Sequence, residues 1–164
     1  MSHQILGARG TIEDAEPVVR ALRGWAQARS AEVLAVDARV VFGRDHLESA
    51  IFHAERAKAT NAMSAHSLSL ETLLYLSGRR QVVDAIRVAG LRKGTRTIGL
   101  VVWNAERPED LLTALGWSRD DGVLEPAGKS LELLGITKQE EGTVVETRRA
   151  DLALEKVALL DIEK

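Results

Sequence analysis

The chain contains no cysteine. That absence removes disulfide frameworks, thiolate metal sites and cysteine nucleophiles together. Aromatic residues make up only 4%, too few for a broad platform on which nucleic-acid bases could stack. No apolar run approaches the ~20 residues needed to cross a bilayer. The opening His-Gln-Ile-Leu-Gly-Ala-Arg-Gly is too short and too polar for a signal peptide. We therefore expect a cytoplasmic protein with no membrane association. Proline occurs three times, at Pro17, Pro108 and Pro126, each suited to a helix start or a loop. Repeats, low-complexity tracts and linkers are missing as well, so one domain over residues 1–164 is expected. An excess of one charge is lacking too. The formal net charge is −2, and any nucleic-acid binding must come from a local patch.

Catalytic signatures are also scarce. The sequence has no G-x-G-x-x-G after a strand, no P-loop, no G-x-S-x-G and no H-E-x-x-H. His46 and His53 lie seven residues apart on one predicted helix. They project to one side but sit ~10 Å apart along the axis, too far for one metal without a ligand between them. A solvated or capping pair is the expectation. Glu71 stands in an apolar segment, either as a buried acid with a raised pKa or paired with Arg79 or Arg80. Serines at 64, 67, 69 and 77 have no histidine–acid pair spaced near them. No catalytic residue, metal or cofactor is expected.

What is present is a soluble chain of 45% hydrophobic and 28% charged residues, long enough to bury a sizeable core unaided. Charge is segmented. Arg79, Arg80, Arg87, Arg92, Lys93 and Arg96 face one acid, Asp84, whereas Glu106 to Glu125 holds six acids against Arg107 and Arg119. Hydrophobic spacing predicts a strand from Ile5 to Arg9, a helix from about Ile12 to Arg29 and a strand from Val33 to Phe42. In the last, Leu34, Val36, Ala38, Val40 and Phe42 share a face, and Asp37 and Arg39 mark a solvated side or a bend. Gly43 opens a helix striped by Leu47, Ala50, Ile51, Ala54 and Ala57. His66 to Leu76 is apolar nearly all round and ends at Ser77-Gly78. A further helix, Arg80 to Ala89, is expected to turn Val82, Val83, Ile86 and Ala89 inward. Ile98 to Trp103 reads as a central strand, Pro108 to Leu115 as a helix and Val123-Leu124 as an edge strand. Helices are expected over Ser130 to Leu134 and about Gly142 to Lys156, with Val157 to Ile162 either helix or strand. Strands and helices alternate too irregularly for repeated βαβ units. The expected fold is therefore α+β, a small mixed or antiparallel sheet packed by several helices.

Two stretches suggest binding. Opposite the Leu47 stripe, Phe52 and Arg56 point outward together; they form an interface pair or lie under neighbouring structure. At Ser77-Gly78-Arg79-Arg80-Gln81 one helix ends as the next begins. Either free backbone N–H groups and two guanidinium forks await a phosphate, or the arginines cap the helix and pair with Glu71.

Beyond these patterns, Phe42-Gly43-Arg44-Asp45-His46-Leu47-Glu48-Ser49-Ala50 and Leu70-Glu71-Thr72-Leu73-Leu74-Tyr75-Leu76-Ser77-Gly78-Arg79-Arg80-Gln81-Val82 resemble a known family. It is that of the kinase-binding accessory subunit of the KEOPS complex, which includes the human p53-related-kinase-binding protein; the likeness is to its archaeal branch. The likeness runs from about Ile5 to Ile162. It implies an α/β-type fold and a non-catalytic role beside a small atypical protein kinase, and indirectly beside the KEOPS ATPase and a small dimerising subunit. Together these install threonylcarbamoyl on the adenosine adjoining the anticodon of tRNAs. It further implies capture of the tRNA 3′ CCA end. On that basis RNA contact is expected at Lys58, Ser77, Gly78, Arg79, Arg80, Arg92 and Lys93, and kinase contact at Phe52, Arg56, Leu70, Leu73 and Leu74. The alternatives are a kinase-regulating subunit that touches no RNA, and a small-molecule enzyme using His46, His53 or Glu71.

Overall fold

The computed structural model describes residues 2–164. In chain order its regular elements are β1 (His3–Arg9), α1 (Ala15–Ala28), β2 (Glu32–Asp37), α2 (Arg44–Ala59), α3 (Leu68–Ser77), α4 (Val82–Ala89), β3 (Thr97–Trp103), α5 (Glu109–Leu115), β4 (Ser118–Arg119), α6 (Lys138–Glu141) and α7 (Ala150–Glu163). Short 3-10 turns cover Ala38–Val40, Asp121–Leu124, Leu131–Leu134 and Glu146–Arg148. The fold class is α+β, as expected. The chain divides into two compact units, one of residues 1–38 and 90–124, the other of residues 39–89 and 125–164.

The first unit holds the sheet. Its order is β2-β3-β1-β4, with every neighbouring pair antiparallel. β3 lies between two partners, and its unbroken Ile98–Trp103 run is buried accordingly. Helix α1 begins where the Asp14 carboxylate accepts the Glu16 N–H at 3.2 Å. It turns Leu22 and Trp25 onto a core of Leu6, Ala8, Ile98, Leu100 and Val102, joined by Leu111 and Leu112 of α5. Glycine is required at position 7. A β-carbon there would lie 2.4 Å from the Asp120 carbonyl oxygen, so only a bare backbone lets the 118–124 segment close over β1.

The second unit is helical. The α2 stripe Leu47, Ala50, Ile51, Ala54 and Ala57 is buried in full. Helix α3 starts at Ser67, whose hydroxyl accepts the Leu70 N–H at 3.2 Å. It ends at Gly78 in the left-handed region with φ 68°, where glycine avoids the Cβ penalty. α3 packs against α2, α4 and α7, which explains why it is apolar on nearly every side.

Five sequence expectations are corrected. The second strand stops at Asp37, and Ala38–Val40 is a 3-10 turn; the alternation of Ala38, Val40 and Phe42 reflects burial in irregular backbone. Helix α4 does not bury its valines and isoleucine: Ala85 and Ala89 face inward, while Val83 and Ile86 are 67% and 48% exposed. Val123-Leu124 lies in a 3-10 turn, and the edge strand is Ser118–Arg119, paired to Ala8 and Arg9. The segment expected as helix over Ser130 to Leu134 is a 3-10 turn at Leu131–Leu134, closed by Gly135 at φ 79°. The segment expected as a helix over Gly142–Lys156 instead starts irregular after α6, passes through the 3-10 turn Glu146–Arg148 and becomes helical only at α7, which carries Val157 to Ile162 as helix.

Candidate functional site

The α3–α4 junction contributes to a cleft of about 710 Å³ in the second unit, lined by Ser64, Gly78, Arg79, Arg80, Gln81 and Lys164, with Asp84 and Glu163 as its carboxylates. Arg79 and Arg80 are exposed. Among the described residues neither guanidinium belongs to an ion pair, so both forks are open to an anion. Two backbone donors of the junction are already engaged. The Gly78 N–H bonds the Tyr75 carbonyl at 3.2 Å and the Arg79 N–H bonds the Leu74 carbonyl at 3.1 Å, both closing α3. Ser77 is buried and its hydroxyl donates to the Leu74 carbonyl at 3.2 Å, so its side chain does not reach the cleft.

Nor do the arginines hold Glu71. That carboxylate is fully buried, accepts the backbone N–H groups of Ser64 and Ala65 at 2.9 and 2.8 Å, and is paired with the Lys164 ammonium. Lys164 also donates to the Tyr75 hydroxyl at 3.2 Å and lies 4.6 Å over its ring centroid. The Tyr75 hydroxyl donates to Asp161 at 2.5 Å. His53 Nδ1 lies 2.5 Å from the other Asp161 oxygen, and Arg56 is paired with the same atom. Burial works to raise the Asp161 carboxyl. The bonds from Tyr75 and His53 and the charges of His53 and Arg56 outweigh it and hold the group below the usual carboxylate range. Burial first, then the Asp161 bond, pushes the Tyr75 phenol up. A smaller cavity of about 280 Å³ beside Arg56, Thr60, Tyr75 and Asp161 shares Ser64 and Lys164 with the larger cleft.

His46 is no solvated partner of His53. It is fully buried, its Nδ1 accepts the Phe42 N–H at 3.1 Å, and its Nε2 donates to the Leu76 carbonyl at 3.1 Å. Burial, assisted by the charge of Lys129 and opposed by the Leu76 bond, lowers its pKa to about 4. The ring is neutral and structural.

Of the residues expected to bind RNA, Arg79, Arg80 and Gly78 share the cleft, and Lys58 is exposed on the last turn of α2. Arg92 and Lys93 are exposed in the first unit, on the turn before β3. Of those expected at the kinase, Phe52 is 60% exposed with the Arg56 guanidinium 5.7 Å from its ring centroid. Leu70 is half-buried. Leu73 and Leu74 are buried in the core and offer a partner nothing. Sequence reasoning missed Asp161 and Lys164, which lie 86 to 108 residues from the groups they hold, a separation at which no local spacing signals a contact.

The family model described as "Kinase binding protein CGI-121" matches residues 11–126. The chain belongs to the CGI-121 family. It is 30% identical to the regulatory protein Cgi121 of Methanocaldococcus jannaschii over 131 residues, 79% of this chain and 83% of that one. It is 34% identical to the EKC/KEOPS complex subunit CGI121 of Coccidioides immitis over 74 residues, 45% of this chain and 35% of that longer protein. The family is thus one of kinase-binding and regulatory proteins. No helix among the described residues is long and apolar enough to cross a membrane.

Proposed function

We propose that the chain is the kinase-binding, regulatory subunit of a KEOPS complex, contributing to threonylcarbamoyladenosine formation on tRNA without performing chemistry itself. The observation that carries this reading is the CGI-121 match over residues 11–126. Its partner is the small atypical kinase of that complex, through which it meets the ATPase and dimerising subunits. Mixed with the kinase subunit of its own organism at micromolar concentration, the protein is expected to elute from a sizing column as a stable heterodimer; separate elution of the two overturns the reading.

A second role, capture of the tRNA 3′ CCA end, is supported by the cleft at Arg79 and Arg80, whose forks suit the few phosphates of a three-nucleotide tail. Lys58 extends the positive charge of the same unit. Each phosphate neutralised on a single strand adds roughly 0.7 to the salt slope of binding. Arg80→Glu should therefore weaken a gel shift with intact tRNA and flatten its salt dependence while leaving the thermal midpoint nearly unchanged. Wild type should shift tRNA stripped of CCA poorly. Equal shifts of intact and stripped tRNA reject the CCA role.

A further inference from the structure

A cavity of about 400 Å³ lies in the first unit, lined by Arg29, Asn104, Ala105, Glu106, Arg107 and Asp110. It shares no residue with the Arg79–Arg80 cleft. Its wall is made by the end of α1 and by the loop that joins β3 to α5. Arg29 caps the C-terminus of α1. Its guanidinium lies 4.2 Å from the Trp25 ring centroid, and its Nη1 donates to the Trp25 carbonyl at 3.1 Å. These two contacts fix the fork in place. Its remaining N–H groups have no partner among the described residues.

On the loop side, β3 ends at Trp103 and the chain turns at Asn104 into the left-handed region, with φ 64°. Asparagine tolerates that conformation, and the Asn104 N–H is held by the Ser2 carbonyl at 3.2 Å. The Asn104 carboxamide and the Glu106 carboxylate are in no hydrogen bond or ion pair among the described residues. Arg107 and Asp110 are paired at 3.6 Å and neutralise each other. One unpaired cation, one unpaired carboxylate and one unpaired amide therefore surround a single cavity. The Trp25 contacts keep Arg29 from closing onto Glu106, and no ion pair joins the two.

We propose that this cavity binds a free α-amino acid, with its carboxylate on the Arg29 fork, its ammonium on Glu106 and an uncharged polar side chain on the Asn104 amide. A simple anion would satisfy Arg29 and leave Glu106 facing a like charge. A simple cation would do the reverse. A zwitterion meets both groups with charge-assisted hydrogen bonds. Because Arg107 and Asp110 already neutralise each other, a further charge on the ligand would find no unpaired opposite. The volume falls within the range of small-molecule pockets.

L-Glutamine is the probe, because its carboxamide can both donate to and accept from that of Asn104. Heteronuclear NMR of the full chain, following the indole N–H of Trp25, is expected to show a saturable shift with a Kd of about 1 mM or tighter. N-acetyl-L-glutamine lacks the ammonium and L-glutaminamide lacks the carboxylate; each should bind at least about tenfold more weakly. Arg29→Gln and Glu106→Gln, both at exposed positions, should each weaken L-glutamine binding by about the same factor, with circular dichroism confirming their fold. Glu106→Gln leaves the Arg29–Trp25 contacts intact, so it decides the matter should Arg29→Gln disturb the indole signal. No saturable shift up to about 20 mM L-glutamine overturns the site. N-acetyl-L-glutamine bound as tightly as L-glutamine reduces the cavity to a carboxylate site and overturns the amino-acid assignment. Wild-type affinity in a folded Glu106→Gln variant overturns it as well.

Discussion

His46 illustrates how one side chain can tie separate backbone segments together. Its ring satisfies the Phe42 N–H and the Leu76 carbonyl at once, and only the neutral Nε2–H tautomer can do both. Protonation removes the acceptor on Nδ1 and places a charge in a fully buried position. Because the folded pKa of about 4 lies below the ordinary 6.5, the unfolded chain takes up the proton first as pH falls, and stability drops across that window. The difference corresponds to about 3 kcal/mol, present above pH 6.5 and lost by about pH 4. Urea midpoints measured at several pH values should show this decline in wild type. In His46→Gln, whose amide can accept and donate without titrating, the slope over the same interval should be shallower. The lowered Asp161 carboxyl acts in a separate window, below the usual carboxylate range, where its protonation releases Tyr75 and His53.

Among elements, α7 shows the strongest dependence on a distant partner. Its packing face (Leu152, Ala153, Val157 and Leu160) is apolar and ordinary, but its last turn is held by charge: Asp161 to His53, Arg56 and Tyr75, and Lys164 to buried Glu71. Removing one member of such a pair strands the other. Lys164→Met should cost about 3 kcal/mol in a denaturant titration, and adding Glu71→Gln should restore part of that loss, since the amide still serves the loop without a stranded charge. The helices differ in how openly the sequence announces them. The apolar stripe of α2 is legible because its opposite face is charged, leaving one inward solution. In α4 the periodicity identifies a helix correctly but misassigns its faces: alanine is small enough to be the inward residue against α3, and the larger Val83 and Ile86 are left outside. The Val33–Phe42 alternation failed differently, since burial continues past the strand through Ala38, Val40, Val41 and Phe42 in irregular backbone.

For the whole molecule, the strand run Ile98–Trp103 and the α+β class were readable from composition and order alone, because a doubly flanked strand needs unbroken apolar residues. The basic cluster at Arg79 and Arg80 was visible as a charge run, and the two arginines line one cleft together with Asp84 and Glu163. Its neighbours Glu163 and Lys164 were not, because they arrive from the far end of the chain. Neither unit is continuous in sequence: each is assembled from two stretches, one on either side of a piece of the other.

That interleaving bears on how the protein comes into being. His3 pairs with Trp103 and Arg9 with Thr97, so β1 leaves the ribosome long before its hydrogen-bonding partner exists. β2 waits almost as long, since its one partner strand is also β3. Sequence separations of this size slow folding, because the closure entropy of the intervening loop precedes any reward from the ladder. Helices α2, α3 and α4, which contact one another in series, have local partners and can form while the sheet strands are still waiting. During synthesis the unpaired edges of β1 and β2 are thus the exposed, aggregation-prone surfaces, and the emergence of Thr97 to Trp103 is the event that pairs them.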